Sequence, residues 1–331
     1  MPEPRCNTMP HADPAQPATL DHAVSLHIVT PLLRSTSYSA RLGRSVWFKM
    51  EALQPPGSFK ARGIGHACRI YKARGATHFV SSSGGNAGIA VAYGGRLLGV
   101  PVTVVVPETT SAAARERIAA EGAELVVHGR AWSEANEHAL SLMKPDYAFI
   151  HPFDDPLLWE GHATMIDEVA AAGVKPGAVV LSVGGGGLLC GVLAGMERNG
   201  WHDVPVIAAE TVGADSYAAS LAAGAPVALP AITSIATSLG AKSPCTEAVA
   251  WSARHPIASE VVTDKQAVGA CLRFLAEHRI VVEPACGAAL AALEREPAAV
   301  MAASDVLVIV CGGAGATAEQ LQAWDREACM I

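Results

Sequence analysis

The sequence lacks the spaced cysteine and histidine pairs that bind zinc. Its eight cysteines are scattered without a C-x-x-C pair, and we predict that they are reduced thiols, mostly in the core. They are Cys6, Cys68, Cys190, Cys245, Cys271, Cys286, Cys311 and Cys329. Clusters of lysine or arginine are also absent, and the net charge of -7 argues against a polyanionic partner. We therefore expect neither a zinc site nor a DNA or RNA partner.

A secretory signal and a membrane span are missing too. The segment from Met1 to about Pro17 is proline-rich and polar, without a basic region or an apolar stretch, so we expect a cytoplasmic protein. The stretch from Ala178 to Met196 carries no charge, and about 18 such residues can cross a membrane. Its four central glycines argue against one long helix, because each costs roughly 1 kcal/mol relative to alanine. We predict a strand, a turn and a helix there, and no membrane partner.

What is present is an alternation of apolar runs of strand length with longer, alanine-rich segments of helical period. In 331 residues, half of them apolar, this alternation predicts the α/β class, with an open, twisted, largely parallel sheet in a two-lobed molecule. Proline-rich turns occur near residues 54 and 154. We expect residues 54–154 to form a small domain, inserted into a large domain made of residues 1–53 and 155–331.

The first candidate site segment runs from Pro56 to Lys60. The turn Pro-Pro-Gly ends a strand, and Ser58 is predicted to cap the next helix, which places Lys60 in its first turn. The helix dipole and nearby positive charge would favour a neutral amine, the form that attacks an aldehyde. Alternatively, Lys60 is a solvated lysine at a helix start. Phe59 is placed either against a flat ligand ring or simply in the core.

The second segment is the turn Ser82-Ser83-Gly84-Gly85-Asn86, between a buried strand and a helix of small residues. Exposed amides at such a turn bind anions, so Ser83 and neighbouring amides are candidates for a substrate carboxylate. The Asn86 side chain is a candidate for a cofactor hydroxyl. The alternative is a tight strand-to-helix connection in which Asn86 is only the cap.

The third segment is the glycine run Gly184 to Gly187, between an apolar strand and the helix that begins with Leu188. Several backbone amides can converge there on one dianionic group. The run lacks the lysine of a nucleotide P-loop, but Glu210 after the next strand keeps a dinucleotide-binding interpretation open.

Cys311 closes the last apolar strand, so its side chain is expected in the crevice at the carboxyl ends of the strands. A neutral thiol there could face a pyridine nitrogen without protonating it, which suits β-elimination better than transamination. The alternative is a buried structural cysteine.

Taken together, these residues resemble the serine/threonine dehydratases of pyridoxal phosphate fold type II, with a tryptophan synthase β-like fold, and most closely the short L-serine dehydratases without a regulatory domain. The likeness runs from Thr30 to Gly313. The motifs that carry it are Gln54-Pro-x-Gly-Ser-Phe-Lys60-x-Arg-Gly, Ser82-Ser-x-Gly-Asn-Ala-Gly88, Phe153-Asp-Asp-Pro-x-x-Trp-Glu-Gly-His162, Ser182-Val-Gly-Gly-Gly-Gly-Leu-Leu-Cys190, Glu283-Pro-Ala-Cys-Gly-Ala-Ala289 and Val310-Cys-Gly-Gly313.

The resemblance implies pyridoxal phosphate as cofactor and assigns roles to single residues. Lys60 would carry the Schiff base, Phe59 would pack on the ring and Asn86 would bond the ring hydroxyl. Cys311 would face the ring nitrogen. The remaining roles are the phosphate site, at Gly184, Gly185, Gly186, Gly187 and Leu188, and the substrate carboxylate site, at Ser82, Ser83, Gly84 and Asn86.

The resemblance also implies a monovalent cation such as potassium and a homodimer. The candidate cation ligands are Glu210, Ala214, Ser216 and carbonyl groups near Leu239 and Ala241. For Glu210 a helix-capping or salt-bridged acid is the alternative. Two departures affect substrate size and turnover: Gly84 replaces an alanine of some relatives, and Gly313-Ala314-Gly315 replaces Gly-Ser-Asn.

The predicted reaction is the conversion of L-serine to pyruvate and ammonia, and of L-threonine to 2-oxobutanoate, with Lys60 removing the α-proton. Three alternatives remain at this point: elimination from a bulkier β-hydroxy amino acid such as phenylserine, racemisation of serine, and a nucleotide- or ligand-binding module without turnover. In each enzymatic case the partner is a small amino acid.

Overall fold

The structure, a computed structural model, describes residues 25–328, which form two sheets flanked by helices. The strands are β1 Leu32–Arg34, β2 Ser45–Lys49, β3 His78–Ser81, β4 Val102–Val106, β5 Glu124–Val127, β6 Tyr147–Phe149, β7 Ala178–Ser182, β8 Val206–Thr211, β9 Ile257–Val262 and β10 Asp305–Ile309. The α-helices are α1 Thr36–Leu42, α2 Lys60–Ala73, α3 Asn86–Leu98, α4 Ala112–Ala120, α5 Trp132–Ser141, α6 Pro156–Ala171, α7 Gly187–Arg198, α8 Ser216–Ala223, α9 Thr246–Ala250, α10 Asp264–His278, α11 Pro284–Glu294, α12 Ala298–Ala302 and α13 Ala318–Ala328.

Strand order confirms the α/β class. The larger sheet has the order β1-β2-β10-β7-β8-β9, and the smaller sheet has the order β5-β4-β3-β6. Every pairing is parallel except that of β1 with β2. Parallel neighbours need long crossovers, and these are supplied by the helices that alternate with the strands. All strands of the smaller sheet lie between residues 78 and 149.

The core of the larger sheet is continuous because its central strands are covered on both faces. All five residues of β7 and all six of β8 are buried. Helix α11, rich in alanine, is buried from Pro284 to Leu293 and packs on both strands. Burying each valine or leucine of these strands contributes about 1.5–3 kcal/mol to folding. This layer is therefore a stable support for the turns that follow the strands.

The uncharged stretch Ala178 to Met196 divides as predicted, into β7, a glycine turn and the first part of α7. Within residues 25–328, no helix is long and apolar enough to cross a membrane. The cysteines of this range are free of disulfides and buried, as predicted for core thiols. Cys6, Cys329 and the N-terminal segment from Met1 to about Pro17 lie outside the described residues.

Some predicted elements differ in the structure. The helical period of the sequence predicts a helix from His162 to Ala172, whereas α6 begins at Pro156. Asp155 caps it there by accepting a bond from the Leu157 amide at 2.8 Å, and proline is favourable in a first turn. Strand β9 is not predicted, since Ile257–Val262 is only partly buried and carries no apolar run. It forms through parallel pairing with β8, which is a long-range effect.

Candidate functional site

The lysine segment is attached to the chain that follows β10. The Phe59 amide donates to the Cys311 carbonyl at 2.9 Å, and the Gly313 amide donates to the Gly57 carbonyl at 3.1 Å. Ser58 and Gly312 form an antiparallel bridge between these bonds. The bridge brings the residues beside Lys60 and Cys311 to the same end of the larger sheet, although 251 positions separate the two in sequence.

Lys60 is the first residue of α2, and the N-cap is Phe59 without a side-chain cap bond. The predicted cap by Ser58 is therefore wrong. The bridge to Gly312 holds Ser58 in an extended segment, so the helix begins after Phe59. Within residues 25–328, the buried Ser58 hydroxyl has no hydrogen-bond partner, which leaves it available to a ligand.

The Lys60 amine donates a hydrogen bond to the Pro152 carbonyl. Burial lowers the Lys60 pKa to about 8, while Cys311 and Glu283 act in the opposite direction. The direction agrees with the prediction of a readily neutralised amine, but the cause is desolvation rather than a helix dipole or a nearby positive charge. A lysine with this pKa can act both as nucleophile and as base near neutral pH.

Phe59 is held from one side by His162. The two ring centroids are 4.8 Å apart at 56°, and the Lys60 nitrogen lies 5.1 Å from the Phe59 centroid. His162 is fully buried, its Nδ1 accepts from the Gly63 amide at 3.1 Å, and burial keeps its pKa well below the usual value. His162 is thus a neutral support for the Phe59 ring, a role that its position in the sequence did not reveal.

The two serines of the turn between β3 and α3 differ in their hydrogen bonds. The Ser82 hydroxyl donates to Asn136 Oδ1 at 2.7 Å, so its side chain is already paired. The Ser83 hydroxyl accepts a long bond of 3.4 Å from the Gly85 amide. A Cβ atom at Gly84 would lie 2.6 Å from the Thr110 hydroxyl, so this position has room only for glycine unless Thr110 moves. The Ser83 hydroxyl and the amides at the start of α3 remain for an anion.

Asn86 does not cap α3. The N-cap is Gly85, and the Asn86 side chain instead donates from Nδ2 to Glu283 Oε1 at 2.7 Å. The other Glu283 oxygen accepts from the Gly315 amide at 2.8 Å. In the described part of the chain, Asn86 Oδ1 is buried without a partner. Glu283 begins one of the motifs that carry the resemblance, but its role was not predicted, because an acid before a proline at a helix start looks like any capping residue.

The glycine run is a close-fitting turn. Gly186 has a left-handed φ of 92°, and α7 begins at Gly187. A Cβ atom at Gly185 would lie 2.3 Å from the Phe153 ring, and one at Gly184 would lie 2.9 Å from the Leu239 backbone. Only glycine fits these positions, and the first amides of α7 have no partner inside the helix. Leu188 is buried in the first turn of α7.

Cys311 is 3% exposed, and its sulfur lies 3.4 Å from the Ser182 hydroxyl. Two effects raise the Cys311 pKa well above the usual value: the neighbouring Cys286 thiol is the larger, and burial is the next. The thiol is therefore neutral at physiological pH, as the prediction for a residue facing a pyridine nitrogen requires.

Three of the candidate cation ligands, Glu210, Ser216 and Ala241, lie at the start of α8. Glu210 accepts from the amides of Tyr217 and Ala218 at 2.8 and 2.7 Å, and Ser216 donates to the Ala241 carbonyl at 3.0 Å. Burial raises the Glu210 pKa to about 8. Both Glu210 oxygens thus accept from amides at the start of α8, which is the arrangement of the capping alternative.

Three features of the site around Lys60 fit pyridoxal phosphate. A lysine with a lowered pKa provides the amine, and the glycine turn before α7 provides amides for a phosphate. Two buried polar atoms, Ser58 Oγ and Asn86 Oδ1, have no partner among residues 25–328 and remain to be satisfied by a ligand.

Comparisons with known proteins agree with this fit. A model of the family described as pyridoxal-phosphate dependent enzyme matches residues 24–312. The human protein named L-serine dehydratase/L-threonine deaminase is 50% identical over 309 residues, which cover 90% of this chain and 94% of the human protein. The crystal structure of an L-serine ammonia-lyase from Rhizomucor miehei has a TM-score of 0.87 at 35% identity, covering 92% and 99% of the two chains. Maize serine racemase has a TM-score of 0.82 at 26% identity, covering 92% and 93%.

Proposed function

Since the chain belongs to the L-serine dehydratase/L-threonine deaminase family of pyridoxal-phosphate dependent enzymes, we propose that it converts L-serine to pyruvate and ammonia, and L-threonine to 2-oxobutanoate and ammonia. The observation that carries the proposal is the placement of Lys60, with its lowered pKa, beside the segment that holds the neutral Cys311 thiol.

The residues that would hold the cofactor follow from the cleft. Lys60 would bind it covalently, and the amides of Gly184 to Gly187 with Leu188 would hold its phosphate. Phe59 would lie against the ring, Asn86 would bond the ring hydroxyl, and Cys311 would face the ring nitrogen. Pyridoxal phosphate, when bound, supplies an electron-withdrawing ring that stabilises negative charge at the substrate Cα.

Lys60 is the proton carrier of the proposed reaction. With a pKa of about 8, a substantial fraction of its amine is neutral near neutral pH, and Nζ can take the proton from the substrate Cα. The same proton on Nζ can then pass to the departing β-hydroxyl group, so that water leaves. The Phe59 and His162 rings restrict the lysine from one side and keep it in reach of the substrate.

The substrate carboxylate is assigned to the turn before α3. The Ser83 hydroxyl and the amides of Gly84 and Gly85 would bind it at a helix N-terminus, where the dipole favours an anion. Ser82 would contribute only its backbone amide, since its hydroxyl is paired with Asn136. Asn86 would border the same turn.

The turn belongs to the proposed small domain, residues 54–154, and Lys60 lies near its junction with the large domain, residues 1–53 and 155–331. Closure of the small domain over the cleft would exclude water while the substrate reacts. An unchanged distance between the two sheets with and without substrate, measured by small-angle X-ray scattering or crystallography, would contradict closure.

A monovalent cation, potassium, and a homodimer complete the proposal. Glu210, Ala214, Ser216, Leu239 and Ala241 are the candidate cation ligands, and support comes from the Ser216 hydroxyl and the Ala241 carbonyl, two oxygen atoms that lie 3.0 Å apart. Sedimentation would give the oligomeric state. The cation is tested by turnover in potassium against a large organic cation.

The substrate is tested with a panel. Purified protein with pyridoxal phosphate is supplied with L-serine, L-threonine and phenylserine, while the keto acid and D-serine are both measured. Fast formation of pyruvate with little D-serine supports the proposal. Faster turnover of phenylserine than of L-serine would indicate that the substrate is a bulkier β-hydroxy amino acid. D-serine as the main product would favour the racemase alternative.

A further inference from the structure

A buried carboxylate links the two sheets beside Lys60. Glu283, 3% exposed, precedes α11 on the larger sheet, whereas Asn86 begins α3, which follows β3 of the smaller sheet. The bond from Asn86 Nδ2 to Glu283 Oε1 is 2.7 Å long, and Gly315 donates to Oε2 at 2.8 Å. The carboxylate therefore holds one group from each of two chain segments that border the cleft.

We propose that Glu283 is a positioning residue, whose carboxylate fixes the Asn86 carboxamide in one orientation and thereby sets how Asn86 meets the cofactor hydroxyl. This inference deepens the proposed function and rests on it. Asn86 donates from Nδ2 to Oε1, and while the carboxylate is ionised it can only accept hydrogen bonds, so a half-turn of the Asn86 amide would place Oδ1 against it without a proton between them. Oδ1 and the second hydrogen on Nδ2 are then left for the ligand, and Oδ1 is the atom without a partner.

The electrostatic setting makes Glu283 act on Lys60 as well. Burial raises the Glu283 pKa, whereas bonds from Ser238, Gly315 and Asn86 and the charge of Arg117 lower it. The other titratable groups that face it are Lys60, Cys271 and Cys311. Its negative charge raises the pKa of Lys60 against the effect of burial, so a neutral residue at 283 should lower the Lys60 pKa.

The test is a double-mutant cycle on cofactor affinity in the full-length protein. Glu283→Gln should weaken pyridoxal phosphate binding about tenfold, the usual size for losing a hydrogen bond to a charged group. In an Asn86→Ala background the same change should have less than about a twofold effect, since Glu283 would act through Asn86. If the losses of cofactor affinity in the two single variants multiply in the double variant, the two residues act independently and the proposal is wrong. Glu294→Gln, a neutralised acid at the other end of α11, is the matched control and should leave the affinity unchanged.

A second pair of variants covers the case in which Glu283→Gln folds poorly. Asn86→Asp places two carboxylates together and should weaken binding at neutral pH, with recovery as the pH falls. In the double variant Asn86→Asp/Glu283→Gln, the residue at 283 becomes the donor and the residue at 86 the acceptor. The affinity for pyridoxal phosphate should then recover at least about fivefold relative to Asn86→Asp alone. No restoration would refute a direct role of this bond.

A pH titration separates positioning from mere folding. The visible absorption of the bound cofactor is followed against pH in the wild type and in Glu283→Gln, with melting temperature as the measure of folding. A midpoint shift that is clearly smaller when Glu283→Gln is made in the Asn86→Ala background, with little change in melting temperature, supports the inference, and a shift of the same size in both backgrounds contradicts it. Wild-type protein that binds the cofactor but makes no pyruvate would refute the proposed function alone, whereas failure to bind the cofactor at all would refute both.

Discussion

A buried ion network under α2 should dominate the stability of the lysine helix. Glu51, fully buried, accepts from Arg62 Nε at 2.7 Å and Nη2 at 2.8 Å, and from the Thr30 hydroxyl at 2.6 Å. The other edge of the Arg62 guanidinium bonds Glu168, at 2.7 Å from each of two nitrogens. Lys49 also bonds Glu168. The two positive charges of the network, on Lys49 and Arg62, are therefore matched by the two negative charges of Glu51 and Glu168.

His27 lies at the rim of this network without adding charge. Burial and the Arg62 charge lower its pKa to about 4, so it is neutral at pH 7. Glu51→Gln would therefore leave one buried positive charge uncompensated. Breaking a buried pair in this way costs about 3–5 kcal/mol, and we predict a loss of that size in the free energy of unfolding.

The assay is urea denaturation at a fixed cofactor concentration, because bound cofactor adds its own stabilisation. The double variant Glu51→Gln/Arg62→Met leaves Lys49 and Glu168 balanced and should recover part of the loss. Lys175→Ala removes an exposed pair with Asp203 and should cost about 1 kcal/mol or less. A loss below about 1 kcal/mol for Glu51→Gln, or no recovery in the double variant, would refute the argument from buried charge.

Three further predictions concern the cleft. In cofactor-free protein, labelling of Lys60 followed by peptide mass spectrometry should rise with pH with a midpoint at about 8 and then level off; a rise that continues past pH 10 would contradict the lowered pKa. Gly185→Ala places a Cβ 2.3 Å from Phe153 and should weaken cofactor binding at least about tenfold, unlike Gly269→Ala in α10. Turnover should fall when potassium is replaced by a large organic cation; equal rates would remove the proposed cation.

The sequence is a good guide to those elements that depend on local pattern. Buried strands such as β4 and β7 are continuous apolar runs, so their existence is visible in the chain itself. The glycine run can only be a turn, because its neighbours are strongly apolar. The α/β class and the segments that border the cleft follow from these patterns.

Features that depend on contacts between distant segments could not be predicted in the same way. Ser58 has the sequence context of a helix cap, but with its bridge to Gly312 the cap is Phe59 and the helix starts one residue later. The Lys60 pKa has the expected direction for a different reason, since burial is a property of the assembled core. Glu283 gains its importance only where α3 and α11 meet, and neither helix shows this alone.

The central claim, that Lys60 binds pyridoxal phosphate and drives elimination from L-serine, is tested most directly by borohydride trapping. The protein is treated with borohydride in the presence of pyridoxal phosphate, digested and mapped by mass spectrometry, and a parallel sample is assayed for pyruvate from L-serine. The account predicts a reduced pyridoxyl group on Lys60, loss of pyruvate formation after reduction, and neither label nor activity in Lys60→Ala. A label on another lysine, or pyruvate formation that survives in Lys60→Ala, would contradict it.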